Sequence, residues 1–191
     1  MTTYCKFALA CSFFICLHVC QAQPPEFPGV VSILDTQLAL IHQNNLNSGL
    51  IVEYIDPDET LDDWALLFAV RFFEGDGLDP RTSVQAKAAE IEARKKSDSM
   101  AKAMMLQGTD IRSYIIDYLV SVNSILEHNL YRYFNTERGL VSYQIARRID
   151  TNLVGPAKVR EFIDSIPENR DKLLLDIMRK DMEFPLAELG Q

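Results

Sequence analysis

Beyond residue 20 the chain has no cysteine: Cys5, Cys11, Cys16 and Cys20 are the full complement. Once the segment carrying them is removed, neither a disulfide nor a thiolate metal site is available. Histidine is nearly as scarce. His42 and His128 are the only two past the N-terminal segment, too few for a histidine-built metal site. Asn-x-Ser/Thr sequons are absent, which excludes N-glycosylation. Positive charge is in deficit, with 19 Lys and Arg against 27 Asp and Glu and a net charge of −8. That balance argues against nucleic acid, whose binding rests on cations neutralising phosphates, and against an anionic lipid surface. The strings G-x-S-x-G and H-E-x-x-H do not occur. The glycine-rich GDGLDP run at 75–80 does not have the ligand spacing of an EF-hand loop. No cofactor, metal or catalytic residue is therefore expected, and the balance leans away from an enzyme.

Long apolar runs are missing as well. Phe7–Val19 is the longest, broken by Ser12 and His18, and it is short of the roughly 20 residues a membrane-spanning helix needs. With Lys6 before it and Cys20-Gln21-Ala22 after it, the segment 1–22 reads as a cleaved secretory signal. The expected product is exported, periplasmic or secreted, with no stable membrane span.

What is present is apolar patterning. Residues 23–29 (QPPEFPG) form a proline-rich extended lead-in. From there to residue 182 the spacing is read as helical, giving an all-α, compact bundle of about six or seven helices. Its segments are 30–43, 61–74, a long hairpin of helices spanning 83–134, 140–150, a short helix from Pro156 to Ile166, and a last one begun by Pro167. Leu50–Ile55 alone has strand-like composition and is read as a short helix or connector. Residues 183–191 are read as a flexible tail. On helical geometry, 61–74 and 110–134 are apolar nearly all round and would form the centre.

Candidate functional residues are polar ones at positions the pattern makes apolar. Asn129 falls on the midline of the apolar face of 110–134, and a buried amide requires partners. Arg71 sits inside LLFAVRFF; a buried guanidinium cannot lose its charge and needs a carboxylate or an anion. Arg132 lies beside Asn129, and Tyr143 with Arg147 follows in LVSYQIARR. If the helices pack, Arg71, Asn129, Arg132, Tyr143 and Arg147 line one positive, partly apolar cleft suited to a carboxylate or phosphate. A network of internal salt bridges would use the same residues with no ligand. The methionines at 100, 104 and 105 fit plain core packing first, and an adaptable packing surface second.

Three functions follow. The first is an exported protein acting by binding, with a protein partner in the envelope or outside the cell, in the manner of inhibitors, immunity proteins or adaptors. The second is a binder of a small anionic or amphipathic ligand in that cleft. The third is a cofactor-free hydrolase, which would place His42 or His128 beside a nucleophile or a carboxylate.

Overall fold

The computed structural model describes residues 26–75, 77–107, 112–180 and 184. The expected signal peptide and all of the expected tail except Phe184 lie outside them. Among the described residues the chain forms eight strands and two helices. The strands are β1 (Val30–Ile33), β2 (Thr36–Leu46), β3 (Gly49–Ile55), β4 (Leu66–Glu74), β5 (Lys102–Gln107), β6 (Ser113–Val122), β7 (Ile125–Thr136) and β8 (Gly139–Asp150). The helices are α1 (Pro80–Arg94), between β4 and β5, and α2 (Pro156–Arg179), after β8.

The expectation of an all-α bundle is overturned. Segments 30–43, 61–74 and 140–150, read as helices, lie wholly or largely in strands. The hairpin of helices at 83–134 keeps helix only over 83–94, and beyond it lie β5 and the β6–β7 hairpin. The two short helices about Pro167 are one, with that proline inside it.

All neighbouring strands are antiparallel, in the order β1-β2-β3-β4-β8-β7-β6-β5. Two four-stranded meanders are thus fused along β4 and β8. Tight turns set the registers. Leu34 and Asp35 both take positive φ, 49° and 63°, between the paired Ile33 and Thr36, the backbone a two-residue hairpin loop requires. Asn123, at φ 55°, opens the corresponding loop between Val122 and Ile125.

Side chains alternate between the two faces of the sheet. On one face Leu38, Val52, Tyr54, Phe68, Val70, Ile115, Leu130, Tyr143 and Ile145 meet Leu173 and Ile177 of α2. Phe184 closes this core, with its ring 5.5 Å from Phe68 and 5.8 Å from Tyr143. On the other face Ile116, Tyr118, Val120, Tyr133 and Leu140 meet Val84 and Ile91 of α1. Each large side chain so buried contributes roughly 1.5–3 kcal/mol. Helix α1 starts at Asp79-Pro80. The Asp79 carboxylate accepts from the amide and hydroxyl of Thr82, at 2.9 and 2.7 Å, and Pro80 occupies the first turn where its missing N–H is harmless.

Candidate functional site

Two faces of one sheet cannot share a cleft, and that decides where the five expected residues fall. Arg71 and Asn129 point to the α1 face. Arg132, Tyr143 and Arg147 point to the α2 face, as the pairings Arg132↔Tyr143 and His128↔Arg147 require. The structure does not bring the five together.

On the α1 face, Arg71 and Asn129 are joined by a residue that sequence reasoning passed over. The Arg71 guanidinium lies 3.5 Å from Glu53 and donates to Oε1 of Gln144 at 2.5 Å. The Gln144 amide donates to Asn129 at 2.7 Å, and Asn129 donates to Glu127 at 2.7 Å. This chain of one ion pair and three hydrogen bonds crosses β3, β4, β8 and β7 and begins and ends on a carboxylate. It satisfies the buried polar groups from within. Beside it Tyr118, Tyr131 and Tyr133 stack, with ring centroids 5.9 and 5.7 Å apart. Burial is the main cause pushing all three phenols above their usual range.

On the α2 face Arg132 is buried, with its guanidinium 4.6 Å over the Phe134 ring and a long 3.5 Å bond to the carbonyl of Ile177. Tyr143 is part of the aromatic core. Arg147 lies over Phe162 of α2 at 5.2 Å and donates to Ser165; burial draws its pKa down from the ordinary arginine value. These residues attach the helix to the sheet.

The α2 face also holds a group that points outward from the core. Register places Lys102, Leu119 and His128 in one row across β5, β6 and β7, and Met104, Asp117 and Leu130 in the next. Asp117 and His128 are almost wholly buried, and Nε2 of His128 is 2.9 Å from Oδ1 of Asp117. The other carboxylate oxygen takes a short hydrogen bond from Nε of Arg170, which projects from α2. Burial alone would raise the Asp117 pKa. The bond and charge of His128, and then those of Arg170, outweigh it and hold the carboxyl below its usual range. An ionised carboxylate only accepts, so His128 must carry its proton on Nε2.

Asp117, His128 and Arg170 line a cavity of 320 Å³ between β5, β6, β7 and α2, together with Lys102, Ala103, Met104, Leu119, Ile163, Ile166 and Pro167. That is at the lower end of the range for ligand sites. Pro167 lacks the N–H that would bond the carbonyl of Ile163, so the helix wall is loosened at the cavity. Two cations stand there against one carboxylate. His128 was singled out in the sequence by its rarity and as a histidine that a hydrolase would set beside a nucleophile or a carboxylate; it lies beside Asp117. Asp117 and Arg170 gave no signal, because their pairing depends on a register the helical reading did not contain.

A second cavity of 200 Å³ lies across the same edge of the sheet, on the α1 face, lined by Arg81, Val84, Gln85, Met105, Leu106 and Tyr114. A third concavity of 530 Å³, at the opposite end of β8, is walled by Asp58, Glu59, Asp62, Asp63 and Asp150 around Trp64 and Arg148. There Arg148 stacks on Trp64 at 4.3 Å and bonds the carbonyls of Asp62 and Trp64. Its role is to pin the 56–65 loop. No three His, Cys, Asp or Glu side chains converge on a metal-sized point among the described residues.

A protein-family model matches residues 26–182. The chain belongs to that family. The match covers the whole sheet and both helices. No curated protein and no solved structure matches.

Proposed function

We propose that this is an exported binding protein that takes an extended segment of a partner protein at the β5 edge of its sheet. The observation that carries this reading is the position of β5. It is the last strand of the sheet, pairing only with β6 among the described residues. Its Met104 and Met105 are 38% and 53% exposed, and each stands beside a cavity on its own face. An open edge supplies unpaired backbone donors and acceptors, and pockets on alternate faces supply side-chain selectivity, which is how strand addition recognises peptides. Methionine suits such a surface because it repacks at little cost.

The test places a photo-crosslinking amino acid at Met105 and, as a control, at Leu175, which is equally exposed on the outer side of α2. A discrete protein adduct from position 105 and none from 175, in the native exported fraction, is the expected result. Adducts from both positions, or from neither, would refute the reading.

A second reading, binding of a small amphipathic acid, is favoured by the apolar walls and paired cations of the 320 Å³ cavity. The hydrolase reading gains a histidine beside a carboxylate but no nucleophile. No Ser, Thr or Cys lines the cavity among the described residues.

A further inference from the structure

Resting on the strand-addition reading, we infer that the partner segment carries an acidic side chain that enters the cavity between β5 and α2. The adjacent residue of that segment is apolar and enters the smaller cavity between β5 and α1. An added strand would lie about 4.8 Å outside β5, and its successive side chains would point to opposite faces. The neighbour of Met104 then meets the 320 Å³ cavity, and the neighbour of Met105 meets the 200 Å³ one.

Charge selects the occupant of the first. Among the described residues Asp117 is the single carboxylate lining it, and both of its oxygens are engaged, one with His128 and one with Arg170. Its charge is thereby answered within the protein. Among the described residues no carboxylate pairs with Lys102, a cation on the edge strand itself, and Arg170 keeps 31% of its side chain exposed. Leu119, Ile163 and Ile166 give the walls a surface for methylene groups. A glutamate matches this lining along its length, with an apolar stem and an anionic tip. A lysine there would meet two like charges. In the second cavity Val84, Met105, Leu106 and Tyr114 make an apolar pocket of a size for valine or leucine.

The experiment uses the ¹⁵N-labelled protein and three blocked decapeptides of Thr-Val repeats whose central threonine is replaced by Glu, Gln or Lys. The Glu peptide should slow exchange of β5 amides and bind at least about tenfold more tightly than the other two, the ratio one charge-assisted contact gives. Lys102→Glu, an exposed position on the edge, should abolish or reverse that order. Three results would overturn the inference. If no peptide protects β5, or if protection falls on β1, the strand-addition reading falls and this one with it. If all three peptides protect β5 equally, or if Lys102→Glu leaves their order unchanged, strand addition stands and the acidic specificity falls alone. If hexanoate shifts His128 and Arg170 resonances while every peptide is silent, the cavity belongs to a small acid.

Discussion

Asp117 lies on β6 with two partners that come from β7 and α2, so one carboxylate joins three elements. Removing a partner leaves its buried charge less well answered, and that asymmetry dominates the outcome. Arg170→Ala should lower stability by about 1–3 kcal/mol, read from the midpoint of urea unfolding. The pH dependence follows from direction. The folded carboxyl titrates below its ordinary value of 3.8, so on acidification the unfolded chain takes up the proton first. The stabilisation is complete above that value and is lost as the pH falls through the lowered one. Asp117→Asn should therefore flatten part of the stability loss below about pH 4 and lower the plateau above it. An unchanged acid limb in that variant would show that the pairing contributes nothing. Asp98 behaves alike at the approach to β5. Burial opposes its ionisation, but the amide and hydroxyl of Ser121 and the amide of Met100 together keep its carboxyl below the usual range. Asp98→Ala should speed amide exchange in β5 before it changes exchange in β7.

Strand β4 is held at its end by two turns. Gly49 and Gly139 flank it, and a Cβ at either would come within about 2 Å of a β4 carbonyl oxygen, that of Phe72 or Phe73. Backbone cannot yield as a side chain can, so Gly139→Ala should cost at least about 2 kcal/mol. Gly29→Ala, where nothing lies within 4 Å, should be close to neutral. Equal thermal midpoints for the two variants would refute the clamp. These same strands explain why the sequence reads as helix. Residues 66–74 are covered on both faces, so the alternation that marks a half-exposed strand is filled in with Leu, Phe, Ala and Val. Residues 113–134 repeat the effect over two strands, and a 22-residue apolar stretch then imitates a helix. The turn at Asn123-Ser124 was the available signal, together with the Tyr, Ile and Val content on either side of it. Helices were better marked. Asp79-Pro80 and Gly155-Pro156 both start one, and Phe162, Ile166, Leu173 and Ile177 keep the stripe of α2 on one side.

Across the molecule, the sheet is the partition. It takes residues adjacent in sequence and sends them to separate cores, which is why Asn129 and Arg132 share a segment but no surroundings. Their need for partners was legible from residue type alone; which partners was not, since Gln144 and Ile177 are brought near by pairing and packing. The edges carry the same lesson, because an edge is a property of strand order and no single segment contains it. Helix α2 holds the larger core shut, so Ile177→Ala, a wholly buried site, should cost about 2–5 kcal/mol. Loss of the helix signal in circular dichroism should coincide with loss of the sheet. Two separate transitions would show that α2 docks on a sheet already stable without it.

The seam between β4 and β8 pairs residues 65 to 81 positions apart in the chain. During synthesis the first four strands are therefore complete long before the strand that must cover the flank of β4. For that interval Phe68, Val70 and Phe72 border a raw margin with no mate. A nascent chain of this kind has reason to stay unfolded, or in the keeping of a chaperone, until its final third arrives.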